Sequence, residues 1–181
     1  KESTFCLSLM KNIIGAKINA QLNNLEQLIN QHWRDKSLLQ KISSYRDQIH
    51  ISLKGIMNLE ALLGLEGSAA TFYFRNLIPF IPASLSFKGR NKRPPKDPFN
   101  VVLSLGYTLL HQEWVREIYL MGLDPYIGFF HQPAFGRESL ASDLLEPLRP
   151  HYDLWALSLF KERILRNEDF SYKEEGCFMG K

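Results

Sequence analysis

Cysteine is scarce: Cys6 and Cys177 are the only two in 181 residues. Two cysteines cannot frame a disulfide-stapled fold, and no CxxC spacing exists to grip zinc or run thiol redox chemistry. A reducing, intracellular compartment is the expectation. No apolar run reaches the roughly 18–20 residues a spanning helix needs, which excludes a transmembrane protein. The sequence also lacks GxxxxGK(S/T), a GxGxxG opening a helix, HExxH and GxSxG, the signatures of common nucleotide, dinucleotide, zinc-peptidase and serine-hydrolase sites. Glu-x-x-His is missing as well, which argues against a di-iron carboxylate bundle. There is no internal repeat and no convincing strand pair. Lys1 is not preceded by an initiator Met and no signal-peptide pattern follows it, so the chain reads as a piece of a longer protein.

What is present is the composition of one folded domain: 45% hydrophobic and 23% charged, at a length able to bury most of its apolar surface without staples. The net charge is only +3, but it is unevenly spread. Residues 1–100 carry 14 Lys/Arg against 7 Asp/Glu, whereas residues 101–181 carry 8 against 12. A basic half beside an acidic half suits a polyanion held near a metal-friendly site, although such asymmetry is also common in proteins that bind no nucleic acid.

The dominant periodicity is helical, and the class is all-α. Leu7, Met10, Ile14, Ile18, Leu22, Leu25 and Leu28 recur at three- and four-residue steps, which predicts a helix from about Thr4 to Trp33. A shorter helix is expected over Ser37–Tyr45. A third is expected over Asp47–Asn76, with Ile49, Leu53, Ile56, Leu59, Leu62 and Leu63 on one face, ending before Pro79. Residues 79–98 read as a proline-rich loop in which five of the nine residues from Lys88 to Lys96 are basic. A helix fits Phe99–Met121, closed by Gly122. Another starts at Ser139, kinks or restarts at Pro147 and Pro150, and runs to about Arg166. The tail from Asn167 is polar, a short hairpin or disorder.

A few polar residues fit these surroundings badly. Glu66 continues the stripe of Leu59, Leu62 and Leu63 toward Ala69, Ala70 and Tyr73, and a carboxylate on a buried face is costly unless paired, protonated or metal-bound. The plain alternatives are a helix-rim position or a salt bridge to Arg75 or Arg149. Asp143 and Glu146, three residues apart, share a helix face and can bind a divalent cation, or form an ion-pair ladder with Arg149. His131 follows Phe129-Phe130 in a connector and is a candidate ligand or general base, or simply a half-buried histidine. His111, mid-helix, reads as packing or surface. Lys88, Arg90, Lys92 and Arg93 form a basic loop suited to phosphate contact or to plain solvation.

The contexts of these residues resemble a known family. Ala16–Gln21 resembles an AKIxxQ segment, Gly64–Ala70 a (G/L)xEGxAA segment, and Arg93–Asn100 the pattern RPPxDPxN. Leu103–Tyr107 is similar to LSxGY, Gly122–His131 to GLDPxxGFxH, and Ser139–Pro150 to SLAxDLxEPxRP. Each is short, but in this order they resemble the helical C-terminal catalytic domain of the CRISPR adaptation integrase, the first-numbered of the CRISPR-associated proteins.

The resemblance implies a metal-dependent DNA endonuclease and integrase that inserts foreign DNA as new spacers into a CRISPR array by 3′-hydroxyl attack on phosphodiesters. It implies Mg²⁺ or Mn²⁺ held by Glu66, His131 and Glu146, with Asp143 a supporting or alternative ligand. It further implies double-stranded DNA as partner, a homodimer in a parent protein carrying a smaller β-rich N-terminal domain, the second-numbered CRISPR-associated protein as bridge between dimers, and a prokaryotic cytoplasmic location without a membrane. An arginine often follows the EGxAA segment in the family; here the position is Thr71. Two other expectations stand beside this one: a non-catalytic DNA-binding scaffold of the adaptation complex, and a related transposon-borne integrase.

Overall fold

A computed structural model describes residues 2–32, 35–130 and 136–180. Six α-helices organise it: α1 Glu2–His32, α2 Lys36–Gly55, α3 Leu59–Leu77, α4 Pro98–Leu120, α5 Ser139–Leu145 and α6 Arg149–Lys161. A two-stranded antiparallel hairpin, β1 Phe170–Lys173 and β2 Gly176–Met179, follows them, with Tyr172 facing Cys177 in register. The all-α expectation holds, and the hairpin alternative for the tail is the one adopted. Among the described residues no helix is long and apolar enough to cross a membrane.

The first helix carries the core. Met10, Ile14, Ile18, Leu22, Leu25 and Ile29 are all buried, and α1 packs against α2, α3 and α6 in turn. Around it close Ile42 and Ile49 of α2, Leu62, Tyr73 and Leu77 of α3, Phe99 and Leu103 of α4, and Leu157 and Phe160 of α6.

The second and third helices differ from expectation. The break predicted near Tyr45–Asp47 is absent, and α2 runs unbroken to Gly55. The chain turns at Ile56, which is extended, and restarts where the Asn58 side chain accepts the Ala61 N–H at 2.8 Å. Nothing near residue 46 disfavours a helix, whereas Gly55 followed by an Asn N-cap is a stop and a start. The apolar stripe is therefore shared by two helices, and Leu63 faces out with 45% exposure.

The start of α2 shows the same chemistry, because Asp35 accepts from the Ser37 and Leu38 N–H groups at 2.9 and 3.1 Å. Asp35→Ala should cost about 1 kcal/mol in urea unfolding, the usual loss for an N-cap.

Between α3 and α4 the chain makes two single 3₁₀ turns, Ile78–Phe80 and Ala83–Leu85. The last long helix is split by its prolines as expected: α5 gives way to a 3₁₀ turn at Glu146–Leu148, then α6. That helix stops at Lys161 rather than Arg166, and Arg163 beyond it takes a left-handed backbone with φ of 58°.

Candidate active site

The segments that carry Glu66 and Glu146 pack against α1. Lys17 stands on the buried stripe of that helix, between Ile14 and Ile18, and retains 6% side-chain exposure. An unpaired ammonium there would be costly. It is neutralised by two carboxylates from remote stretches: its Nζ donates to Glu66 Oε1 on α3 and to Glu146 Oε2, 2.5 Å away, on the 3₁₀ turn after α5. Glu146 is 7% exposed and Glu66 23%. The other oxygen of Glu146 lies 3.1 Å from Arg149 Nε, an ion pair without hydrogen-bond alignment. Of the plain alternatives for Glu66, the salt bridge is the one formed, to Lys17 rather than to Arg75 or Arg149.

Lys17, Glu66 and Arg149 line an open cavity of about 690 Å³, part of whose wall is apolar (Ala70, Phe74, Ile78) and part basic. Lys88, Arg90 and Lys92 reach it from the loop before α4, Arg75 from α3 and Arg149 from α6, with Tyr107 of α4 also lining it. Arg93 is exposed and does not line the cavity. The loop is shaped by two buried residues of the DPxN segment. Asp97 caps α4 through the Asn100 N–H at 2.9 Å and accepts the Asn100 side-chain amide at 2.7 Å. Asn100 in turn accepts from the Asn91 N–H at 3.1 Å and from the Arg90 guanidinium at 2.8 Å, and donates to the Gly89 carbonyl at 2.9 Å. Ser104 receives a further Arg90 N–H at 3.1 Å. From the far end of the chain, the Cys177 N–H donates to the Pro95 carbonyl at 2.8 Å, and Gly176 sits so close to Pro94 and Pro95 that a Cβ would not fit.

Electrostatics follow from this crowding. Burial pushes Arg90 below the ordinary arginine range, and Lys92 is lowered by desolvation and by the neighbouring charges of Arg149 and Arg90. Cations so arranged attract an anion that restores their environment.

Asp143 is fully buried, and its Oδ2 accepts the backbone N–H groups of Phe129 and Phe130 at 2.6 and 2.9 Å. It thereby ties down the stretch of chain that leads to position 131. Gly128 makes this possible, since a Cβ there would meet Ser139 at 2.6 Å and the Asp143 carboxylate at 2.8 Å. His131 itself lies outside the described residues. His111 lies near the Glu138 carbonyl and the Ser142 hydroxyl, both at 3.4 Å, and is a packing residue.

Among the described residues no three His, Cys, Asp or Glu side chains form a cluster able to hold a metal ion; Glu66 and Glu146 are the two that share a cation. Sequence reasoning assigned no site role to Lys17 or Asp153. The signal for Lys17 existed: Lys17, Gln21 and Asn24 are polar residues at helical spacing on an apolar stripe, the same oddity that marks Glu66.

A model of the family described as CRISPR associated protein Cas1 matches residues 1–181. The chain is 44% identical over 181 residues to the CRISPR-associated endonuclease Cas1 1 of Thermodesulfovibrio yellowstonii, covering 96% of this chain and 55% of that protein. Among solved structures it is similar to a chain of a partial Cas6-RT-Cas1–Cas2 complex, with a TM-score of 0.87 and 28% identity over 98% of this chain and 54% of the other. It is also similar to a casposase bound to integration product, with a TM-score of 0.78 and 28% identity over 97% and 48%. The chain spans about half the length, or less, of the curated relatives it matches.

Proposed function

The chain belongs to the CRISPR-associated Cas1 family, and from that premise we propose that it is the catalytic part of a metal-dependent DNA endonuclease and integrase of CRISPR adaptation. The observation that carries this reading is the meeting of Glu66 and Glu146 around the Lys17 ammonium, with Lys17 and Glu66 lining a cavity that Arg75, Lys88, Arg90, Lys92 and Arg149 also line. Carboxylate oxygens are hard ligands of the kind Mg²⁺ and Mn²⁺ prefer, so the donor set fits such an ion. Glu66 and Glu146 would hold it, with His131 as the third ligand. When bound, a divalent ion polarises a phosphoryl oxygen and stabilises charge on the attacking or leaving oxygen.

The remaining chemistry belongs to the protein. Arg90, Lys92 and Arg149 neutralise the backbone of duplex DNA and orient a scissile phosphodiester in the cavity. Asp143 holds the backbone of Phe129 and Phe130 in place. Lys17 neutralises the carboxylate pair between encounters, and remains beside the site as a donor to phosphate oxygen when the pair turns to another cation. The attacking group is a DNA 3′-hydroxyl in integration and water in nicking. In the full-length protein we further propose a homodimer assembled with Cas2, the partner named in the neighbouring complex.

Alanine at Glu66, His131 or Glu146 in the full-length protein should each lower Mn²⁺-dependent strand transfer by about 10²-fold or more, the scale on which a group that stabilises transition-state charge acts. Wild-type transfer by all three would end the metal-centre reading.

A further inference from the structure

A second arrangement, apart from the carboxylate pair, adjoins the cavity through Tyr107, Arg90 and Arg149. Asp153 on α6 is 1% exposed. Its Oδ1 accepts the Tyr107 hydroxyl, while its Oδ2 is buried without a hydrogen-bond partner. Leaving a buried carboxylate oxygen unsatisfied costs stability, so packing alone would favour an apolar residue here. Tyr107 lines the cavity, and two guanidinium groups lie over its ring, Arg149 at 4.6 Å and Arg90 at 5.4 Å from the centroid. Each contact is attractive, and more so where water is excluded. Two like charges gathered at one ring would otherwise repel.

We propose that Asp153 is a positioning residue for phosphodiester binding: through the Tyr107 hydroxyl it fixes the ring on which Arg90 and Arg149 rest, so that the two guanidiniums face the cavity as a clamp for one DNA backbone phosphate. The proposal rests on the DNA-acting reading above. A clamp assembled before the ligand arrives spares the ordering of two long side chains on binding.

The groups that face Asp153 are Lys17 from α1, Tyr73 from α3, Tyr107 from α4, Arg90 from the loop before α4, and Arg149 and Tyr152 on its own helix. Burial outweighs the nearby cations and holds the carboxyl up at about 7. Ionisation above that value adds a negative charge beneath the clamp that competes with phosphate. Duplex affinity therefore weakens as pH rises through about 7.

The test is the affinity of the full-length protein for a short duplex in chelator, measured against salt and pH. Asp153→Asn keeps an acceptor for Tyr107 and removes the charge; it should bind as wild type at low pH and no longer weaken at high pH. Asp153→Leu and Tyr107→Phe free the ring and should bind about tenfold more weakly, with the log–log salt slope flattened by about 0.9 for each phosphate left unneutralised. Thermal melts separate a fold defect from this result, because a purely structural role would move melting and leave the slope of the folded protein unchanged. Wild-type affinity and slope in both ring-freeing variants would overturn the proposal, as would Asp153→Asn behaving like Asp153→Leu. A wild-type protein that binds duplex without strand transfer would remove the integrase reading and leave the clamp, whereas one that does not bind duplex would remove both.

Discussion

Gly106→Ala should destabilise the protein by about 3 kcal/mol, at a mid-helix position where alanine ordinarily gains about 0.5–1 kcal/mol over glycine. A Cβ at residue 106 would lie 1.8 Å from Tyr152 Cζ and 2.1 Å from its Oη. The ring is not free to swing aside. Its hydroxyl donates to the Val102 carbonyl at 3.0 Å, and the ring packs tilted against Tyr107 and Trp155, with centroids 5.8 and 5.3 Å away. Overpacking a fitted site costs about 1–3 kcal/mol, and the displaced ring also surrenders its hydrogen bond, worth about 1 kcal/mol. Urea unfolding reads the difference. Adding Tyr152→Ala removes the obstruction, so the double variant should be more stable than the sum of the two losses predicts. A Gly106→Ala protein as stable as wild type would mean that the Tyr152 ring yields without cost.

Lys17→Met should lose about 3 kcal/mol in chelator and recover most of it with Mn²⁺, on the scale set by removing one partner of a buried ion pair. Methionine matches the lysine stem in length, so the substitution removes charge and little packing. It leaves Glu66 and Glu146 facing each other without the ammonium both of them bond. Removing one partner of a buried ion pair costs about 3–5 kcal/mol, and the lower end applies because Glu66 keeps 23% of its side-chain exposure. A divalent cation bound by the two carboxylates replaces the lost charge, so the Mn²⁺-induced rise in melting temperature should be larger in Lys17→Met than in wild type. Equal rises would show that the ion binds elsewhere. A variant as stable as wild type in chelator would show that the pair needs no counter-charge.

The same side chains mark how far the sequence could be read. Glu66 was legible because it interrupts an apolar stripe of period 3.6 with a carboxylate, and Glu146 because it follows Asp143 at a three-residue step. Lys17 interrupts α1 in the same way. Its long stem is compatible with a helix rim, however, and periodicity says nothing about which distant carboxylates will meet it. Asp153 was hidden for a different reason. It follows Tyr152 near Arg149, where an acidic residue looks like one more member of an ion-pair ladder. Only packing against α4 reveals that it faces Tyr107.

The matched pairs Gly106-Tyr107 and Tyr152-Asp153 are one contact seen from two helices. The glycine admits one tyrosine, and the other tyrosine reaches the aspartate. The misplaced break between α2 and α3 has a plainer cause. The stripe from Ile49 to Leu62 keeps its period across Ile56–Asn58, and hydrophobic spacing alone cannot report a turn that preserves it.

The pinning of Pro95 by the Cys177 amide bears on assembly in the cell. Synthesis proceeds from the amino end, and the helices of the core can condense while later residues are still inside the ribosome. The amide that secures the proline stretch does not exist in folded space until the hairpin has emerged. A nascent chain therefore holds its cationic segment from the α4 side alone, through Asp97, Asn100 and Ser104, until the hairpin clears the exit tunnel and docks.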